Sequence, residues 1–308
     1  MAIHQIVLNQ DALLGWFTKN ISPILTINDG DSVRFQTLDG GWGSDIDGKR
    51  TKKFLRYENA GHALIGPIKI NGAKQGMVLE VEINEIIPGS YGFTSAGQWP
   101  NWQNIKTNLT GYDEITLDWR LDKKNMVGQC EVNGRIFTVA LKPFLGIMGM
   151  PPDEEGIHST SPPRNCGGNI DCKELVKGSV LYLPISVDGA FFAAGDGHAA
   201  QGDGEVSCQA IECPMELIDL TFHLRNDLQI KTPRANTPSG WITFGFHEDL
   251  NEATVIALNE MLNLLGELYG LNRVEAMALG SSVIDLRITQ IVNGVKGVHA
   301  CLPHGALR

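Results

Sequence analysis

The sequence predicts a mainly β protein with a few helices. Three observations carry that reading. Asn-Gly pairs at Asn71-Gly72, Asn133-Gly134 and Asn293-Gly294 each separate two strand-like runs. Asn-Gly supplies the positive φ angles that a type I′ hairpin turn requires. Several apolar runs alternate with a period of two, the mark of a half-buried strand. The chain has one long helical pattern, near its C-terminus.

The elements follow in order. Asp29-Gly30-Asp31 turns the chain into a strand from Ser32 to Thr37, where Val33 and Phe35 alternate with polar neighbours. Residues 77 to 87 form a second strand, with Leu79, Val81 and Ile83 on one face and Glu80, Glu82 and Asn84 on the other. Val127 to Val132 and Ile136 to Leu141 flank Asn133-Gly134 as a hairpin. Residues 142 to 168 hold Pro143, Pro151, Pro152, Pro162 and Pro163 without clear periodicity, and read as a long connecting loop. This stretch is the one plausible boundary. It divides a β-rich part, 1–145, from a second β-rich part, 146–308, with the two expected to intertwine into one catalytic unit. Asp249 caps a helix whose apolar residues run from Ala253 to Leu268 at spacings of three and four, and Gly270 stops it. A shorter helix from Arg273 to Leu279 and a strand from Val283 to Ile291 close the series.

Composition excludes several functions. At 308 residues and 43% hydrophobic, the chain can bury a large core without disulfides or a structural metal. Asp+Glu number 35 against 25 Lys+Arg, a net charge of −10, which argues against nucleic acid and anionic membrane as partners. No apolar run approaches the ~20 residues of a membrane-spanning helix. The N-terminus has no basic stretch followed by an apolar one, so the expected location is the cytoplasm. The six cysteines form no C-x-x-C pair, and a reducing compartment makes free thiols the expectation.

The densest polar motif is Gly195-Asp196-Gly197-His198-Ala199-Ala200-Gln201-Gly202-Asp203-Gly204-Glu205. It follows the apolar run Ala190 to Ala194, so it reads as a buried strand ending in a loop of oxygen and nitrogen donors, with glycines allowing tight turns. Asp and His together suit zinc, manganese or iron, and carboxylates alone would suit calcium. A solvated acidic turn is the plainer reading, and the histidine two residues from Asp196 weighs against it. Gly167-Gly168-Asn169-Ile170-Asp171 is a second cluster, in which Asp171 could instead cap a helix from Cys172 to Val176. His62 and Asp39 stand at strand ends and would be bland in isolation. Trp99 and Trp102 read as the underside of a loop. Cys166 has no base beside it to make it a nucleophile, and there is no nucleophile elbow, Walker loop or dinucleotide fingerprint.

Taken together, these segments resemble the acetamidase/formamidase family across most of the chain. The resemblance rests on Thr37-Leu38-Asp39, His62-Ala63-Leu64-Ile65-Gly66-Pro67, Asn71-Gly72-Ala73, Gly146-Ile147-Met148-Gly149, Pro162 to Asp171, Leu181 to Ile185 and the motif from Gly195 to Glu205. Gly40 and the polar stretch 44 to 58 depart from the family's wording, as does Lys74-Gln75-Gly76-Met77. The resemblance implies β-sandwich and barrel-like parts and metal-dependent hydrolysis of a small linear amide, formamide or acetamide. It raises Asp39, His62 and Asp171 above their standing alone.

The expected metal-ligand set is Asp39, His62, Asp171, Asp196 and His198, around zinc first, with calcium or manganese as alternatives. Glu205 is the expected general base. The rivals are a metal-dependent hydrolase of another carbonyl substrate, such as a carbamate or cyclic amide, and a non-enzymatic calcium-stabilised binding protein. Histidines weigh against the last, because calcium prefers oxygen. A homodimer is the expected assembly.

Overall fold

A computed structural model describes residues 1–308. Two large sheets dominate it. The first has nine strands, in the order Ile3–Gln5, Ser32–Phe35, Met215–Arg225, Val78–Pro88, Val180–Pro184, Arg234–Thr237, Gly240–His247, Lys296–Pro303 and Asp285–Gln290. The second has seven, in the order Pro163–Arg164, Gly167–Asn169, Phe144–Gly149, Phe192–His198, Leu64–Ile70 and Leu13–Leu14, with Leu25–Ile27 parallel to Leu64–Ile70. The sheets pack over one apolar core. Phe192 from the second meets Phe222 from the first edge to face, with ring centroids 5.1 Å apart. A four-stranded sheet (Tyr91–Ala96, Ile115–Asp122, Val127–Val132, Arg135–Ala140) and the small pair Ser44–Ile46 and Lys49–Thr51 complete the β structure. Both large sheets draw strands from before and after residue 145.

Local chemistry explains these elements. In Val78–Pro88, Leu79, Val81 and Ile83 are buried, and the intervening Glu80, Glu82 and Asn84 are not, as a period of two requires. Helix Leu250–Tyr269 starts at Asp249, whose side chain accepts the N–H groups of Asn251 and Glu252, and stops at Gly270 with φ of 68°. Its apolar face lies on Gly240–His247 and Lys296–Pro303, over Val298, Ala300 and Leu302. The approach is close because Gly245 has no side chain. A methyl there would lie 2.0 Å from the Ala253 carbonyl oxygen. Helix Arg273–Gly280 follows with a capping box at Asn272 and Glu275.

The structure corrects four expectations. Of the three Asn-Gly pairs, only Asn133-Gly134 has both φ angles positive. Asn71-Gly72 links strands of different sheets, so no hairpin turn is needed there. Residues 142 to 168 are not one loop. Phe144–Gly149 is a strand with every residue buried, and a strand covered on both faces shows no alternation to read. No helix follows Asp171, where the chain runs through turns. A short helix, Trp102–Lys106, starts at the last residue of the aromatic stretch 98–102, which sequence reads as loop.

Candidate active site

The acidic motif begins inside a strand. Phe192–His198 continues through Asp196 and His198 with every residue buried. Its glycines serve close packing more than turning. A methyl at Gly195 would lie 2.2 Å from the Ala63 carbonyl oxygen, and one at Gly197 would lie 2.4 Å from that of Cys213. Asp196 and His198 stand two residues apart and so share a face. The neighbouring strand brings Gly146 beneath them, between Leu145 and Ile147, which pair with Gly197 and Gly195. A methyl at Gly146 would lie 2.7 Å from Asp171 Oδ1, 2.8 Å from Asp196 Oδ2 and 2.8 Å from His198 Cε1. The missing side chain at 146 is therefore the floor on which three candidate ligands meet.

Asp171 reaches this floor from the end of strand Gly167–Asn169, with φ of 52°. Its N–H and that of Ile170 both donate to the Gly146 carbonyl. Asn293 donates to Asp171 Oδ2 at 2.7 Å. Glu205 arrives from the far end of the motif with φ of 48°, on a loop tied to strand Asp285–Gln290 by the Gly204 N–H donating to the Thr289 carbonyl. Donor atoms of Asp171, His198 and Glu205 lie within 4.8 Å of one another. Those of Asp196, His198 and Glu212 do so as well. His198 Nε2 stands 3.5 Å from Asp196 Oδ2 and 3.4 Å from Glu212 Oε1, and its ring meets Phe144 edge to face. His62 joins from across Gly40, where a methyl would lie 2.1 Å from Asp196 Oδ1 and 3.2 Å from His62 Cδ2. The Thr160 hydroxyl holds His62 Nδ1 at 2.8 Å.

Asp39 is placed differently. It is fully buried, but both oxygens are taken. Arg50 Nε and the Tyr91 hydroxyl donate to Oδ2 at 2.7 and 2.6 Å, and the Gly43 N–H donates to Oδ1 at 2.7 Å. It shapes the glycine turn beside Asp196 and stays out of the two convergent groups. Asp203 pairs with Lys173 at 3.0 Å, away from the cluster. Cys166 is buried and donates to the Met150 carbonyl.

Sequence reading missed Glu212 and Asn293. Glu212 is a lone carboxylate in the apolar run Ala210-Ile211-Glu212-Cys213, and that mismatch is the signal that could have found it.

The buried charges act on one another. Burial pushes Asp171 up to about 7, helped by Asp196 and opposed by His198. Burial also raises Glu205 well above the usual carboxylate range, with Asp171 adding to the effect. Asp196 is buried too, but His62 and His198 outweigh that and hold it at about 2. Burial lowers His198, and the carboxylates of Glu212 and Asp196 more than reverse it. Asp171 Oδ1, Glu205 Oε2 and both nitrogens of His198 are buried without a hydrogen-bond partner. Buried polar atoms are rarely left so. Converging carboxylate oxygens and imidazole nitrogens of this kind fit a divalent cation.

Above the cluster lies a polar cavity of ≈ 680 Å³. Its floor includes His62, Asp196, Glu205 and Glu212, and its wall includes Arg50, Lys52, Arg56, Trp99, Glu114 and Asp118. The stretch 44 to 58 thus supplies part of the wall.

A model of the Acetamidase/Formamidase family matches residues 5–159 and 152–304. The chain belongs to the acetamidase/formamidase family. This is a family of amidohydrolases acting on small linear amides. Among solved structures, the acetamidase of Bacillus halodurans is 27% identical and superposes with a TM-score of 0.82 over 97% of each chain. The acetamidase of Yersinia enterocolitica is 26% identical, with a TM-score of 0.83 over 99% of this chain and 93% of that one. The acetamidase of Mycolicibacterium smegmatis is 50% identical over 54 residues, 17% of this chain and 13% of that protein.

Proposed function

We propose that this chain hydrolyses formamide or acetamide to the carboxylate and ammonia, with a divalent metal ion as cofactor. One observation carries the reading. In a chain of this family, unpartnered buried donors of Asp171 and His198 meet over Gly146, and Glu205, whose Oε2 is also unpartnered, lies within 4.8 Å of them and lines a polar cavity. His62, Asp171, Asp196 and His198 would hold the ion, with Glu212 as a further donor; Asp39 supports the turn beside them. Imidazole donors favour zinc, with manganese or calcium as alternatives.

An amide carbonyl is a poor electrophile because its nitrogen donates into it. When bound, a divalent ion lowers the pKa of water to about 7 and polarises a carbonyl. The chain's own residues do the rest. Glu205 takes the proton from water and returns it to the departing ammonia, a role worth roughly 10²–10⁴-fold in rate. Thr160 fixes the orientation of His62, and Asn293 that of Asp171. Burial of Asp171, Asp196, His198 and Glu205 keeps bulk water from screening their charges.

The test is ammonia release from formamide and acetamide by protein as purified, after chelation, and after adding back zinc, manganese or calcium. Release that chelation stops and one metal restores supports the reading. Absence of ammonia from metal-loaded, folded protein would discard simple amides.

One feature favours a second reading. The ≈ 680 Å³ cavity exceeds what an amide of three or four heavy atoms fills, and exposed Lys52 and Arg56 stand on its wall. A larger carbonyl substrate, including a carbamate or cyclic amide, would use that room. The same assay on a substrate panel separates the two. A cytoplasmic setting and a homodimer complete the proposal. All six cysteines are free thiols, as a reducing compartment allows; no helix is long and apolar enough to cross a membrane.

A further inference from the structure

A second group of metal-type donors lies outside the amidase cavity. Cys172 Sγ, one carboxylate oxygen of Glu174 and a ring nitrogen of His299 lie within 4.8 Å of one another. Cys172 and His299 are almost wholly buried, at 1% and 0% exposure. Cys172 Sγ stands 3.3 Å from Glu174 Oε2, and His299 Nε2 stands 3.5 Å from that same oxygen.

The arrangement is poorly satisfied as it stands. His299 Nε2 is buried with no hydrogen-bond partner. Its other nitrogen, Nδ1, sits 2.7 Å from the Thr289 hydroxyl. That contact fixes the ring and leaves Nε2 directed at the thiol and the carboxylate. Arg287 donates to the opposite oxygen of Glu174 at 2.8 Å and holds the carboxylate in place. A ligand histidine whose second nitrogen is anchored, beside a ligand carboxylate that is itself anchored, is the usual support of a metal site. Cys301 lies two residues beyond His299 on strand Lys296–Pro303, hence on the same face, with its sulfur outside the 4.8 Å group.

We propose that Cys172, Glu174 and His299 form a zinc site separate from the amidase centre, which Cys301 would complete by turning toward the bound ion. Thiolate and imidazole, both buried, beside a half-buried carboxylate match zinc, and the sulfur excludes calcium and magnesium. Without a cation, the Cys172 thiol donates its proton to Glu174 Oε2. Zinc would bind by displacing that proton to solvent. The ion would join residues 172–174, which directly follow Asp171, to strand Lys296–Pro303 at one end of the nine-stranded sheet.

Cobalt(II) is the probe, because thiolate bound to cobalt gives an intense near-ultraviolet charge-transfer band and carboxylate or imidazole does not. Full-length protein loaded with cobalt should show the band. Cys172→Ser and His299→Gln should each abolish or greatly weaken it and should lower bound zinc by one equivalent per chain. The amidase donors remain in both variants, so the other equivalent should stay. A cobalt-loaded wild type without the band would overturn the proposal, and this result needs no variant to fold. A band that survives both substitutions would come from another cysteine, such as Cys208 or Cys213, and would overturn it equally. An unchanged zinc content in both variants would reduce the group to a hydrogen-bonded cluster.

Discussion

Asn293 donates to Oδ2 of Asp171 at 2.7 Å, across 122 residues of sequence, and leaves Oδ1 of that carboxylate free beside His198. The turn that carries Asn293 thus aims a candidate ligand. Asn293→Ala should weaken metal binding about 10–100-fold, the usual cost of losing such a support. Competition with a chromogenic chelator measures it. Wild-type affinity in the variant would make the contact incidental.

Glu205→Gln keeps the shape of the side chain and removes its basicity. Turnover should fall by roughly 10²–10⁴ while metal content stays near that of wild type. Ammonia release and elemental analysis on one preparation decide it. If metal is lost together with activity, Glu205 joins the ligands.

Gly146→Ala should empty the site without unfolding the protein. The added methyl would lie 2.7 to 2.8 Å from Asp171, Asp196 and His198, all buried and unable to move far. Metal content and activity should both collapse. Overpacking of this kind costs about 1–3 kcal/mol in stability, so a circular dichroism melt should still show a folded protein.

Much of this site is legible in the sequence, and the reasons are local. Asp171, Asp196, His198 and Glu205 stand out because glycines and charges interrupt apolar runs. What the glycines do is not legible. Gly146 sits in a strand buried on both faces, so neither alternation nor a turn marks it. Gly195 and Gly197 look like loop residues, yet they admit neighbouring backbones. Asp39 reads as a ligand from its position, but Arg50, eleven residues on, claims its carboxylate. Such competition between partners appears only when the chain is folded. The strand Val78–Pro88 and helix Leu250–Tyr269 were readable because each buries a single face.

The Asp39 and Arg50 pair gives a stability prediction. Arg50 also lies over the Phe93 ring at 4.2 Å. Arg50→Met would leave a buried carboxylate with only Tyr91 and one backbone N–H. Breaking a fully buried pair costs about 3–5 kcal/mol. Arg50 is partly exposed, so about 2–3 kcal/mol is expected. The double variant Arg50→Met with Asp39→Asn should recover part of it. Urea denaturation of the three proteins tests this, and additive losses would show that the pair does not interact.

Asp31 gives a pH prediction. The N–H groups of Ala2 and Asn28 donate to it, His4 sits 3.1 Å away, and its pKa falls from 3.8 to about 2. A carboxylate depressed by folding adds stability above its unfolded pKa. That contribution is complete above about pH 4 and is lost as the pH falls toward 2. The shift corresponds to about 2 kcal/mol. Asp31→Asn should lower stability at pH 6 by that order and flatten the acid limb of the profile below pH 4. An unchanged limb would assign acid sensitivity to other groups.

The strand order of the nine-stranded sheet has a consequence for how the protein is made. Val78–Pro88 lies between Met215–Arg225 and Val180–Pro184, both synthesised long after it. A nascent chain of half length therefore carries an apolar strand with two unpaired edges and no partner yet translated. Pairings so distant in sequence form slowly, and exposed edges meanwhile recruit other chains. Yield in a cell should then depend less on the stability of the finished enzyme than on protection of its first half during translation.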